Sequence, residues 1–182
     1  MGNGTTSFNQ GRKSCKAYIL TLPKEGEALL YREKKTREAL PYFDRAIACG
    51  YDGVRDVHGS RGLCLQTLGF HLEAIDDFAK AIAATPEDAN WYFLRGLSRS
   101  HIGDFDSAIA DMEEAVRLSK AGTEENRDRN DTAREMGWPS ATAFYEARLH
   151  LARTENCQLG HICAEERRRK ESSSWRRTRQ TT

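Results

Sequence analysis

Apolar residues recur at helical spacing through much of the chain. The clearest stripe comprises Ala74, Ile75, Phe78, Ala81 and Ile82. Steps of three, four and seven residues place these side chains on one face of an amphipathic helix. Gly69 precedes the stripe, where a left-handed glycine would end an earlier helix. The pattern therefore predicts short helices joined in pairs by tight turns.

This predicted helix pair returns thirty-four residues later. The segment RGLCLQTLGFHLEAIDDFAKAI (61–82) reappears as RGLSRSHIGDFDSAIADMEEAV (95–116), with eight identities in twenty-two positions. A weaker copy lies upstream if one extra residue is allowed in its turn, and its helices are predicted at 24–34 and 37–49. Three such units suffice for a stack in which each buries its apolar face on a neighbour.

The repeated pattern resembles the tetratricopeptide repeat. One copy matches the family at Gly62, Leu65, Gly69, Ala74, Phe78, Ala81 and Pro86, and the next at Tyr92, Gly96, Gly103, Ala108, Met112 and Ala115. The second of these copies departs at Arg99, where the family has a bulky apolar residue, and at Lys120, where it has proline. The resemblance covers about residues 20–120 and implies an all-α solenoid of about three helical hairpins.

The remaining segments are assigned by their composition. Residues 1–19 and the basic tail 165–182 lack sustained periodicity, so we predict them to be disordered. Residues 121–137 are polar and are predicted to form a linker. We expect 138–164 to hold a capping helix with Phe144, Ala147 and Leu151 on its apolar face.

The resemblance also implies a concave groove, lined by the first helix of each pair, that binds a peptide or helix of a partner. The predicted lining residues are Asp56, Gly59, Leu63, Gln66, Thr67, Asn90, Phe93, Leu97, Ser100 and His101. Their mixture of apolar and polar side chains suits peptide binding. In the alternative interpretation, the terminal helix or the N-terminal segment fills this groove.

One family function is not expected. Repeats that hold the carboxylate of heat-shock chaperones use Lys, Asn and Arg on the first helices, because cations and amides grip the anion. The matching positions here are Glu27, Ser60 and Leu94, with only Asn90 polar near the remaining one. We therefore predict no carboxylate clamp.

No catalytic motif is found. The five histidines lack an HExxH or nucleophile pattern around them, and no glycine-rich phosphate loop occurs, so we predict neither an enzyme nor a bound cofactor. Cys157, His161 and Cys163 fall short of the four ligands of a structural zinc site. No metal site is predicted, and the oligomeric state stays open.

Composition favours a cytoplasmic protein. No run of eighteen apolar residues and no apolar leader occurs, which predicts neither membrane spanning nor secretion. The five cysteines are odd in number and form no CxxC pair, which favours reduced thiols. The start MGNGTT fits a permissive myristoylation pattern at Gly2, but anchoring needs a second signal, and we predict no lipid anchor.

The segment RRRKESSSWRRTR (167–179) supports a second hypothesis. Two basic clusters flank Trp175, so the tail could contact a phosphate backbone and make this a nucleic-acid-associated or nuclear protein. A solvated charge run is the simpler interpretation. Because the rest of the chain carries twenty-one Lys and Arg against twenty-four Asp and Glu, we favour a non-catalytic scaffold or adaptor that binds protein.

Overall fold

A computed structural model describes residues 21–50, 57–122 and 127–158. Within these ranges the chain is helical and contains no strand. Helix α1 is described from residue 21 and passes at 27 into a π-helical turn, Ala28–Arg32. The next six are α2 (Thr36–Ala48), α3 (Val57–Thr67), α4 (His71–Ala84), α5 (Ala89–His101), α6 (Phe105–Ala121) and α7 (Arg127–Glu135). Helix α8 covers residues 141–158.

The helices form three stacked hairpins, α1–α2, α3–α4 and α5–α6. Helix α3 also packs on α2, and α5 packs on α4, so each hairpin buries its apolar face on the next. The predicted all-α helical-hairpin solenoid is confirmed. In the first hairpin, α1 is already helical at residue 21, three residues before the predicted start at 24. Leu22, in this additional part of the helix, is buried in the core.

The turns explain the spacing of the repeat. Gly69 and Gly103 follow the first helices of two hairpins with φ of +89° and +84°, a backbone conformation that glycine adopts without steric cost. The first hairpin instead has its π-helical turn followed by Lys34 at φ +58°. A π-helical turn takes up an additional residue, which accounts for the extra residue that the sequence alignment required there.

Trp91 joins the second hairpin to the third. Its ring is 2% exposed and packs with Phe78 of α4, at a centroid distance of 6.3 Å. The outer edge of its six-membered ring approaches Gly59 of α3, where a Cβ atom would lie 2.6 Å from the nearest indole carbon. Glycine at position 59 is therefore required by the approach of the tryptophan ring.

The identities Arg61/Arg95 and Asp77/Asp111 form one ion pair in each of two hairpins. Arg61 binds Asp77 through its Nε and Nη2 atoms, both at 2.7 Å. Arg95 binds Asp111 in the same way, at 2.9 and 2.7 Å. Arg99 adds a further hydrogen bond to Asp111 at 2.8 Å, which explains why a charged residue replaces the family's apolar one.

The predicted linker 121–137 differs from the structure, because it contains helix α7. Ala133 of α7 is buried in the core of the third hairpin. Arg129 pairs with Asp88 at 3.3 Å and lies over the Trp91 ring at 5.7 Å. These contacts to the start of α5 stabilise a short helix in a segment whose composition is almost wholly polar.

Helix α8 packs antiparallel to α6 at the end of the stack, because its start contacts the end of α6 at Ser119 and its last turn contacts the start of α6 at Asp106. Ser119 is hydrogen-bonded to Thr142 at 2.7 Å, and Lys120 pairs with Glu146 at 2.7 Å. Lys120, which stands where the family has proline, therefore binds α8. The predicted apolar face of this helix was wrong at Leu151, which is half exposed, whereas Phe144 is partly buried and packs against the core. Its buried positions are Ala141, Tyr145, Leu149 and Ala152.

The cysteines divide by environment. Cys64 is buried in the core, whereas Cys49 is exposed at the end of α2. Burial raises the pKa of the Cys64 thiol to about 12, so this thiol stays protonated in the folded chain. Cys157 is exposed on α8.

Candidate protein-interaction groove

The groove is built on α3 and α5, the first helices of the second and third hairpins. They lie side by side, and Gln66 joins them by donating from Nε2 to the Leu94 carbonyl at 2.9 Å and to Ser98 Oγ at 2.8 Å. Ser98 is fully buried. These hydrogen bonds hold the two helices in register. The side-chain amide of Gln66, a predicted lining residue, is used for this contact between helices.

Matched positions on the two helices leave a mixed surface open. Leu63 and Leu97, thirty-four residues apart, are both partly exposed. One turn further along, Thr67 and His101 are exposed, and Ser100 is partly exposed. Thr67 donates to the Leu63 carbonyl at 2.8 Å, and His101 Nδ1 lies 2.8 Å from the Leu97 carbonyl. The surface thus combines two leucines with the side chains of Thr67 and His101, which are oriented by contacts to backbone carbonyls of their own helices.

Two of the predicted lining residues are not available on this surface. Phe93 was expected to be partly exposed, but it is 3% exposed. Phe144 and Tyr145 of α8 cover it, with ring centroids 5.2 and 4.7 Å away. Gly59 is also buried, beneath Trp91.

Helix α8 therefore covers the groove at Phe93. Asn90, near the start of α5, is partly exposed. Leu97, Ser100 and His101 also stay accessible. Asp56, the remaining predicted lining residue, lies outside the described residues.

The structure adds an apolar surface that sequence reasoning missed. Phe70, Leu72 and Ile102 are 52%, 65% and 43% exposed, and we call these three residues the turn patch. They lie at the α3–α4 and α5–α6 turns, which are joined by the stacked rings of His71 and His101 at a centroid distance of 4.5 Å.

A signal for the turn patch was present in the repeat alignment. Phe70 occupies the N-cap position of α4 and makes no side-chain capping hydrogen bond. Thirty-four residues later, Asp104 caps α6 by accepting from the Ser107 amide. Helices prefer a short polar residue at this position, so a phenylalanine there is unfavourable for local stability.

We expect the Phe70→Ser variant to be more stable, with a free energy of unfolding about 1 kcal/mol higher than that of the unmodified chain. Serine supplies the missing acceptor for the α4 amides, while Phe70 is half exposed and contributes little burial. Urea denaturation followed by circular dichroism measures the difference. A clear loss of stability would mean that Phe70 packs more tightly than its exposure indicates.

The stacked histidines predict a dependence of stability on pH. Burial lowers the pKa of His71, and the neighbouring His101 lowers it further. Its Nδ1 atom is buried without a hydrogen-bond partner among the described residues. An unfolded histidine titrates near 6.5, so the unfolded chain gains its proton first as the pH falls. Stability should therefore decrease from about pH 7 downward and level off below the folded pKa of His71.

Urea midpoints at pH 7.5 and pH 5.5 test this expectation, because ~6.5 lies between them. The unmodified chain should lose more stability between the two values than the His71→Gln variant, which has no imidazole at this position. The difference between the two losses is assigned to His71 and its electrostatic interaction with His101. Equal losses would contradict the expectation.

Other candidate chemistry is limited in the described part of the chain. No group of three or more His, Cys, Asp or Glu residues in these ranges is arranged to hold a metal ion. None of the described helices combines the length and the apolar character needed to cross a bilayer. His161, Cys163, the basic tail and the Gly2 pattern lie outside the described residues.

Comparison with known proteins agrees with this architecture. Residues 89–121, which comprise α5 and α6, match the family model of the tetratricopeptide repeat. No curated protein matches the sequence significantly. The resemblance stated from the repeat pattern is thus confirmed, and it is centred on the third hairpin.

Solved structures with the same fold extend the likeness beyond one hairpin. PcrH of Pseudomonas aeruginosa, in complex with the chaperone binding region of PopD, has a TM-score of 0.63 at 17% identity, covering 78% of this chain and 95% of that chain. A T3SS complex from Aeromonas hydrophila gives 0.62 at 19% identity, covering 77% and 83%.

The second TPR domain of human RPAP3, in complex with the HSP70 peptide SGPTIEEVD, gives a TM-score of 0.51 at 21% identity. The match covers 59% of this chain and 87% of that chain. At these identities the likeness to each structure shows the fold.

Proposed function

Since this chain carries a tetratricopeptide repeat and has the tetratricopeptide-type fold, we propose that it is a non-catalytic scaffold or adaptor. It binds a peptide or helix of a partner protein on the open part of the groove between α3 and α5. The observation that carries this proposal is the pair Leu63 and Leu97, partly exposed at matching positions of adjacent first helices.

The chemistry of this surface defines the partner. Burial of the two leucines favours a segment with apolar side chains, because removing apolar area from water drives association. Ser100, Thr67 and His101 offer hydroxyl and imidazole groups to the backbone of the bound segment. Since Gln66 already fixes the two helices to one another, binding requires little ordering of the groove itself.

The neighbouring structures support a peptide ligand. PcrH is bound to the chaperone binding region of PopD, and the RPAP3 domain is bound to an HSP70 peptide. The chemistry of this groove favours a different peptide class from the acidic peptide SGPTIEEVD bound by the RPAP3 domain. Two of the clamp-position residues are Ser60, which is buried, and Leu94, which is partly buried. Neither provides a cation for a carboxylate.

We assign this function to the cytoplasm. Cys49, Cys64 and Cys157 are free in the described structure, which fits a reducing compartment. Because α8 covers Phe93 while Leu97 stays accessible, the open part of the groove lies beside Leu63 and Leu97.

The test is selection of peptides from a random display library on the full chain, followed by fluorescence polarisation with the selected sequences. The Thr67→Arg variant places a bulky cation beside Leu63 at an exposed position. It should weaken binding at least about tenfold, a loss of roughly 1.4 kcal/mol. The peptide SRMEEVD, which is bound by the first TPR of Spaghetti (RPAP3), should not bind.

The matched control is Ala79→Arg, which introduces the same side chain at an exposed position of α4. This variant should bind the selected peptides as the unmodified chain does. Circular dichroism should show that both variants are folded. Absence of enriched peptides, or equal binding by Thr67→Arg and Ala79→Arg, would reject the groove as the binding surface.

A further inference from the structure

The turn patch is a second surface, separate from the groove function proposed above. Its three residues are half of the six large hydrophobic side chains that are markedly exposed in the described structure. The stacking of His71 on His101 brings the two turns together, and the exposed Phe70, Leu72 and Ile102 are the chain neighbours of these two rings. Exposed apolar area rimmed by polar groups marks interaction surfaces.

The rim of the turn patch is acidic. Glu73 in the first turn of α4 and Asp104 and Asp106 at the start of α6 are all exposed. The nearest cation along the chain on α5 is Arg99, which is engaged with Asp111 at 2.8 Å. A segment that fits this surface therefore carries an apolar or aromatic anchor together with several cations.

The described chain ends beside this surface. Asn156, in the last turn of α8, donates from Nδ2 to Asp106 Oδ1 at 3.2 Å, and Asp106 lies on the rim. Trp175 follows the last described residue by seventeen positions, within the segment RRRKESSSWRRTR. Seventeen extended residues span up to about 55 Å, so Trp175 can reach either turn.

We propose that residues 167–179 of this chain dock on the turn patch of the same molecule. The indole of Trp175 packs on Phe70, Leu72 and Ile102, and the flanking arginines pair with the carboxylates of the rim. This segment has both features that the surface requires: one large aromatic residue, and seven Lys and Arg against one Glu. The contact also covers the phenylalanine that occupies a capping position.

Photo-crosslinking of the full chain tests the contact. Trp175 is replaced by p-benzoylphenylalanine, which keeps a large aromatic side chain, and irradiated protein is mapped by mass spectrometry. We expect cross-links to the peptides that contain Phe70, Leu72 or Ile102. An equimolar mixture of unlabelled and ¹⁵N-labelled chains should give cross-links within one isotope only, because the tail binds its own molecule.

Two further arms separate the apolar and ionic contributions. Phe70→Ser and Leu72→Ser should each lower the cross-link yield at least about fivefold, while Leu151→Ser, at a half-exposed leucine of α8, should not. Raising the salt from about 0.05 M to 0.5 M should also lower the yield, because exposed charges are screened.

Three results would overturn the proposal. Cross-links of mixed isotope would assign the surface to a second copy of the chain. Cross-links to residues away from the two turns would place the tail elsewhere. Absence of any cross-link to the folded body would leave the turn patch to a different partner.

Discussion

Replacing Trp91 with alanine is expected to lower the free energy of unfolding by about 3–5 kcal/mol. The indole is 2% exposed and lies between α3 and α4, against Gly59 and Phe78. Its removal leaves a cavity where the second and third hairpins meet, and the fixed helices around it cannot collapse fully. Urea denaturation of both proteins measures the loss. Trp138→Ala is the control, because Trp138 is only partly buried and should cost less.

A second substitution tests whether the contact between Trp91 and Gly59 is the reason for the glycine. In the unmodified chain, Gly59→Ala places a Cβ atom within 2.6–2.8 Å of three indole carbons and should be destabilising. In the Trp91→Ala background the clash is absent, and alanine gains about 1 kcal/mol of helix propensity over glycine. The effect of Gly59→Ala should therefore change sign. Additive effects would contradict the packing described here.

The repeat made most of the fold predictable. A period of thirty-four residues, with glycine at 69 and 103, is visible without any structure, and both glycines have the expected positive φ. Gly62, which matches the family pattern, lies at a close helix contact, since its added Cβ would lie 2.9 Å from the Phe78 ring. Such features are local or strictly repeated, which is why sequence patterns report them.

Contacts outside the repeat could not be predicted in the same way. The polar segment 121–137 contains α7 because Arg129 reaches Asp88 and Trp91, and these contacts join residues about forty positions apart. Phe93 matches a groove position in the repeat pattern, but α8 covers it. Neither the register of α8 nor its position on the stack is encoded in a periodicity of the repeats.

The candidate surfaces show the same division. Leu63 and Leu97 follow from the repeat, whereas the turn patch depends on how two turns meet across separate hairpins. Phe70 differs from its counterpart Asp104 in the next copy. Both residues occupy the N-cap position of the second helix in their hairpins. A difference between two such equivalent positions therefore indicates that one of them has a role other than capping.

The Arg61→Met variant is expected to lower the free energy of unfolding by about 3 kcal/mol. Methionine keeps much of the apolar stem but removes the guanidinium from Asp77, whose side chain is 2% exposed. The carboxylate then retains His58 Nδ1 at 3.2 Å and Lys80 at 3.9 Å, which do not replace the paired bonds of Arg61. Urea denaturation measures the loss.

The equivalent substitution in the third hairpin provides the comparison. Arg95→Met should cost less, because Asp111 keeps the hydrogen bond from Arg99 at 2.8 Å. Arg117→Met, at an exposed pair with Glu114, should leave stability unchanged. If Arg61→Met and Arg95→Met are equally costly, Arg99 does not compensate for the lost partner. The identical pairs of the two hairpins would then be equally dependent on one arginine, despite the additional cation in the third.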